Sequence, residues 1–344
     1  MEKLSIEQFG KGTVKDSYDF RDYEIMAGAS DSFDWEKGYN IEEELGIKIP
    51  IQNQGQSDSC VGQAWAYYVA VLNCIETGKY DMASAKAIFS QIALGYGAEI
   101  RTGGLTVVNW GSVFDTIVKS YHENGSTLNA TEYRDILWKT PEIDAMAKML
   151  QAKDCTIIPL RMSDADDRME LIARMIRNNH GVVGGLQGEN NATWLSNEPQ
   201  RGKKIWGHAL YFGKAGTDSK GKYISTPNSW GQMPADNLHP NGWQKLRKEW
   251  FEAFQASSVS PIDGWIFNPW TLTDKVNQTN NNNMETNVLV LKNESGAAVG
   301  AFLPFNDERG MISICRNFGI KVPQKEDGVD WENFKMDGTY KLFK

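Results

Sequence analysis

The chain has 344 residues, 41 % of them hydrophobic, with 36 Lys plus Arg against 44 Asp plus Glu and a net charge of -8 at pH 7. That much apolar material supplies the core of one large domain and a smaller one, which excludes disorder as the general state. The acidic balance gives no general attraction to phosphate backbones, so nucleic acid is not an expected partner. No stretch approaches the roughly 18 apolar residues of a membrane helix, and residues 1–30 mix both charges without a signal-peptide run. The expectation is a soluble protein with no membrane partner, not exported by a signal peptide, and either cytoplasmic or packaged in a virus particle. The four cysteines, Cys60, Cys74, Cys155 and Cys315, match neither paired metal ligands nor a dense disulfide framework, in keeping with a reducing compartment.

Along the chain, residues 1–48 carry turn formers (Gly10, Gly12, Gly28, Gly38) and no sustained helical period, which predicts an extended lead-in with short strands. From Cys60 to about Thr77 the pattern changes: Val61, Trp65, Tyr68, Val69 and Leu72 form an apolar helical face, and Gly78 supplies a stop. Helical periods return at 83–94, 108–121, 141–150 and 164–177, and strand signals follow at 181–186, 209–212, 222–225 and 264–267. Helices first and strands later predict a segregated α+β enzyme with a helical half and a sheet half. Residues 275–287 hold six asparagines and almost nothing apolar, which reads as a linker. The expected division is a lead-in at 1–48, a catalytic domain at 49–274, the linker, and a small domain at 288–344. Strand-like runs stand at 288–291 and 298–303 of that last part, and a short helix at 311–318.

Cys60 stands where a polar turn, residues 53–59, meets the first strong helix. A thiol there faces unpaired backbone N–H groups and the positive end of the helix dipole, which favours a reactive thiolate. The competing reading is a buried structural cysteine, and Cys74, on the same helix, exemplifies it. Gln54, six residues before Cys60 in a glycine-containing turn, can bring its amide to the same point as the Cys60 N–H, giving two donors for an oxyanion. Far downstream, His208 follows Gly207 and opens a strand, and Asn228 follows another. Cys, His and Asn form one of the convergent variants of the serine triad. His122, His180 and His239 have no cysteine or carboxylate cluster at metal-ligand spacing, so neither a metal nor a cofactor is expected.

The segment NQGQSDSC at 53–60, together with WGHALYFGKAGTDSKGKYISTPNSWG at 206–231, resembles the Gln-Gly turn, nucleophile, His strand and Asn-Ser-Trp-Gly signature of the papain-like cysteine peptidases, in family order. The resemblance spans approximately residues 15–270 and implies a two-lobed α+β fold, a thiol-protease (hydrolase) activity, and a protein or peptide substrate. It further implies that Gly103 and Gly104 bind the substrate main chain antiparallel, and that Trp230 covers the His208–Asn228 hydrogen bond. The turn at 241–243 (NGW) has a structural role in the family. Gly207 and Asp58 complete the candidate substrate-binding residues. The family usually has a disulfide cysteine where this chain has Ser57, a tryptophan at Val61 and a glycine at Asp58, which puts a carboxylate near the mouth of the site. The lead-in is much shorter than the family's helical prodomain, as in a bacterial- or phage-type variant without one, so autoinhibition by such a prodomain is not expected. The preferred reading is a cysteine endopeptidase. The alternatives are a cell-wall peptide or isopeptide amidase or transpeptidase, and an inactive papain-like binding or assembly protein. The C-terminal domain is a candidate for surface or particle docking.

Overall fold

The computed structural model describes residues 12–16, 32–92, 98–116, 141–231, 242–254 and 264–273, with short strands beyond. The chain divides into two compact units, Met1–Val276 and Asn277–Lys344. In chain order the large unit contains β1 (Thr13–Val14), β2 (Tyr39–Asn40), α1 (Ile41–Leu45), α2 (Cys60–Thr77), α3 (Ala85–Ile92), β3 (Ala98–Glu99), α4 (Ile100–Asn109), α5 (Pro141–Ala147), β4 (Asp154–Ile157) and α6 (Ala165–Asn179). Then follow β5 (Val182–Gly188), β6 (Trp206–Phe212), β7 (Lys214–Asp218), β8 (Gly221–Pro227), β9 (Trp243–Leu246) and β10 (Ile266–Thr273). The described parts of the small unit are two antiparallel pairs, β11 (Leu289–Lys292) with β12 (Ala298–Phe302) and β13 (Val329–Asp330) with β14 (Lys335–Met336). Residues 275–287 and the helix expected at 311–318 lie outside the described residues.

α2 organises the large unit. Every residue from Cys60 to Cys74 is buried, so the helix is a core element on all faces and not only on its apolar stripe. It stops at Gly78, whose φ of 72° lets its N–H reach the Cys74 carbonyl, the left-handed cap that glycine allows. On one side α2 packs with α3 and α4 into the helical core. On the other it meets the antiparallel sheet β4-β10-β5-β6. That sheet is buried on both faces: Val183 and Tyr211 join the helical core, whereas Val182, Leu210 and Phe212 join a second core with α6. A second sheet, β2-β7-β8-β9, continues from β6 across Gly213. The arrangement is α+β, with α2, α3 and α4 gathered in the first core and α6 in the second beside the strands. Among the described residues no helix is long and apolar enough to cross a membrane.

Two expectations need correction. The helix expected at 108–121 is interrupted: α4 occupies 100–109, Phe114 bridges to Ala83, helix starts again at Asp115 and Thr116, and 117–121 lie outside the described residues. Gly103 and Gly104 accordingly lie inside α4, buried, and not in a substrate-binding loop. They are glycines because α4 crosses under Trp65: a Cβ at Gly103 would stand 2.4 Å from Trp65 Cδ1, and one at Gly104 would stand 2.2 Å from Cys155 Sγ.

Gly104→Ala sets two effects against each other. Alanine gains at most about 1 kcal/mol in helix propensity, whereas overpacking typically costs about 1–3 kcal/mol. The substitution should therefore lower the thermal midpoint by several degrees in a melt followed by circular dichroism; an unchanged or higher midpoint would contradict this packing.

Candidate active site

The turn before α2 is fastened by polar groups. Gly55 takes a φ of 56°, its N–H donating to Asn53 Oδ1 at 2.9 Å. Ser57, where the resembling family has a cysteine, is fully buried; its hydroxyl donates to the Gln54 carbonyl at 2.6 Å and lies 2.7 Å from Ser59 Oγ. Gln54 is buried, with Oε1 accepting from the Ser229 hydroxyl at 2.6 Å and Nε2 donating to the Ser57 carbonyl at 2.9 Å. Its backbone N–H donates to the Ser229 carbonyl, and Gly231 N–H to the Gln52 carbonyl. The Gln54 turn and the Asn228–Gly231 turn are thereby stitched together, although they are far apart in sequence.

β6 carries His208 to this junction. Its Nε2 lies 2.9 Å from Asn228 Oδ1, and both residues are buried. Trp230 stacks on the imidazole, ring centroids 4.7 Å apart, and its own outer face meets Trp194 and Trp206 edge-on. The His208–Asn228 bond is thus shut away from water, which strengthens it. Cys60 Sγ accepts from the N–H of Ala209, the residue after His208, so the start of α2 and the histidine strand meet directly.

The cleft is occupied by the chain's own lead-in. Gly12 N–H donates to Cys60 Sγ at 3.4 Å, and Thr13 Oγ1 lies 3.1 Å from the same sulfur. β1 pairs with β3 in parallel, Thr13 opposite Ala98 and Val14 opposite Glu99. Ala98–Glu99 is therefore the edge against which the lead-in lies. Gly12 and Gly207 make the close approach possible: a Cβ at Gly12 would stand 2.3 Å from the Asp58 carbonyl oxygen, and one at Gly207 would stand 2.2 Å from that of Thr13. Asp58, half-buried, thus borders the segment. Beyond Val14 the segment is anchored by Asp16, whose carboxylate accepts from Trp270 Nε1 at 2.7 Å and from the Arg101 N–H, while its own N–H donates to Asn268 Oδ1.

With the segment seated, burial pushes the Cys60 thiol up, Asp58 adds to this, and the hydrogen bonds from Thr13, Ala209 and Gly12 pull the other way without prevailing. Cys74 and Cys155 are likewise buried thiols, and Cys315 lies outside the described residues. His180 caps α6 beside Tyr39 and Glu44, away from this site. Among the described residues no His, Cys, Asp and Glu gather at a metal-binding spacing.

Sequence reasoning missed the occupying segment, the β3 edge, Ser229 and Gln244, whose Oε1 accepts from Asn228 Nδ2. A buried glutamine in a strand that otherwise reads as Trp-x-x-Leu was the one signal for the last.

The seated segment shields Cys60. Gly12→Val should prevent seating and raise the rate of Cys60 alkylation by iodoacetamide at least 10-fold; an unchanged rate would show that the segment is not the shield. Burial also pushes Asp16 up to about 7 from 3.8, helped by Glu99 and opposed by Trp270 and by the Arg101 N–H and charge. Seating is therefore most favourable below 3.8 and weakens as pH rises toward 7. Wild-type alkylation should gain an extra acceleration through that window, which Asp16→Asn, neutral at every pH, removes.

No protein-family model matches the chain, and no curated protein resembles it significantly in sequence. Solved structures resemble it in fold. Xylellain, a cysteine protease from Xylella fastidiosa, superposes with a TM-score of 0.57 at 16 % identity, covering 80 % of this chain and 99 % of that one. Digestive procathepsins L2 and L3 of Tenebrio molitor larval midgut give 0.52 and 0.51 at 15 % and 10 % identity. They cover 78 % and 77 % of this chain, and 79 % and 76 % of theirs. With helices and sheets divided around the start of α2 and His208 delivered by β6, the large unit has the papain-like fold.

Proposed function

We propose that the chain is a cysteine endopeptidase with Cys60 as nucleophile, His208 as acid and base, Asn228 as the residue that holds the ring, and Gln54 with the Cys60 N–H as oxyanion donors. The observation that carries this reading is that the cleft already holds a peptide main chain by backbone pairing, with two of its groups on the sulfur of Cys60. A site that takes an extended chain against a thiol at a helix start, one residue from a buried histidine, suits acyl transfer from a peptide.

Once the segment has left, His208 Nδ1 takes the Cys60 proton, and the sulfur attacks the substrate carbonyl carbon to form a C–S bond. The carbonyl electrons move onto oxygen, where Gln54 Nε2–H and the Cys60 N–H receive them. Collapse breaks the C–N bond as His208 returns its proton to the leaving amine. Water then attacks the thioester with His208 as base, releasing the acid and restoring the thiol. Asn228, being uncharged, orients the ring without competing for its proton. Its amide oxygen still favours the imidazolium.

The test is labelling of the full chain, and of its Gly12→Val variant, with a panel of peptidyl epoxides and fluoromethyl ketones, together with hydrolysis of fluorogenic peptides. Label should map to Cys60 alone, and Cys60→Ala should lose both label and hydrolysis, while Cys74→Ala and Cys155→Ala keep them. Hydrolysis that persists in Cys60→Ala would overturn the assignment, and cleavage confined to cell-wall peptides would move the substrate class.

A further inference from the structure

We infer that Gln244 is a positioning residue of this site, which fixes the direction of the Asn228 amide and thereby decides which nitrogen of His208 carries the proton. Its role in catalysis rests on the cysteine-peptidase reading. The hydrogen-bond chain itself does not.

An Asn or Gln amide can face either way, and a neutral histidine can be protonated on either nitrogen, so the direction of such a chain must be set by a group that cannot turn round. Here that group is a pair of backbone carbonyls. Gln244, fully buried, donates from Nε2 to the carbonyl oxygens of Trp194 at 2.8 Å and Ser196 at 2.9 Å. Those two acceptors oblige the Gln244 amide to present nitrogen to them and therefore oxygen to Asn228. Asn228 Nδ2 donates to that oxygen at 2.8 Å, which obliges Asn228 to present Oδ1 to His208, 2.9 Å from Nε2. An oxygen there requires Nε2–H, so Nδ1 is the proton acceptor, which is what a base for Cys60 needs.

Reversing Asn228 alone would bring its oxygen against Gln244 Oε1. Reversing Gln244 as well would bring that oxygen against two carbonyls. The three amide and ring orientations therefore stand or fall together. The carbonyls are themselves held: Asn191 Oδ1 accepts from Thr193 N–H at the start of the turn Ala192–Leu195, Trp194 is buried under Trp230, and Lys245 N–H donates to the Asn197 carbonyl at 2.7 Å, tying this turn to β9.

The experiment reads the tautomer directly, by ¹⁵N spectra of the full chain labelled at histidine, in a Cys60→Ala background where no thiolate charges the ring. His208 should show protonated Nε2 and bare Nδ1, and Gln244→Leu should give a mixture of both tautomers. An unmixed Nε2–H form in Gln244→Leu overturns the inference. In the Cys60 protein, Gln244→Leu should lower kcat on a fluorogenic peptide in proportion to the wrong tautomer seen in the spectrum, about 2-fold for an even mixture, with KM little changed. Gln244→Glu, which still accepts from Asn228 but is the worse residue for burial, should retain more kcat than the leucine variant while melting lower; a merely structural role predicts the same order for both measurements. In an Asn228→Ala background Gln244→Leu should cost nothing further, and a fully additive loss overturns the inference. If the leucine variant does not fold, Gln244→Met, which fills the space without an acceptor for Asn228, decides by the same spectrum: a mixture of tautomers supports the inference and an unmixed Nε2–H form overturns it. A chain that shifts tautomer as expected yet cleaves no peptide refutes the peptidase reading and leaves the positioning of His208 intact.

Discussion

A helix buried on every face cannot slide or tilt without opening voids on all sides at once, and α2 is held in that way from Cys60 to Cys74. Gly103 and Gly104 let α4 close on Trp65, Trp65 Nε1 donates to the Ile100 carbonyl, and Tyr68 reaches the Asn179 carbonyl and Thr271. The position of the sulfur is therefore set by the core of the whole large unit and not by the turn that precedes it. The turn has the lesser task of aiming Gln54, for which short polar bonds from Ser57 and Ser229 suffice.

The opposite wall of the site depends on amides and carbonyls with no formal charge. Charges are collected instead at the rim of the second sheet, where Arg247 bridges Asp218 and Glu198. Asp218 is held well below the usual carboxylate range, first by Arg247 and then by Lys245. Partly exposed pairs of that kind contribute little each, about 0–1 kcal/mol, but they close the turn after Trp194 over β9. In the proposed mechanism, a neutral wall leaves His208 to change charge without a fixed buried carboxylate opposing its discharge.

Much of the site was legible in the sequence because its parts are local. Cys60 with its turn, and the stretch from Gly207 to Gly231, are each short runs whose residues meet through one turn or one hairpin. The α+β order was legible for the same reason. The glycine pair was misread because glycine signals both a turn and a close helix crossing, and only the partner, Trp65, separates the two. β4 went unseen, and β7 and β9 were legible only through the resemblance, as its hairpin and as the strand after the turn at 241–243, because short, charged or glycine-bearing strands such as Lys214–Asp218 owe their extension to neighbours and not to propensity. The contact of Thr13 with Cys60 joins residues whose association no local pattern encodes, and Gln244 acts through groups three links away.

The segment over Cys60 is held in part by the parallel pairing of β1 with β3. It is also covalently part of the molecule it blocks. A tethered occupant acts at an effective concentration on the order of millimolar, whatever the protein concentration, so dilution does not release it and a micromolar competitor barely shifts it. One break in the chain between residues 16 and 32 changes the order of the equilibrium. The same segment then competes as a free peptide at the concentration of the protein itself, and at about 1 μM its occupancy term falls roughly 1,000-fold, about 4 kcal/mol, without a single contact being altered.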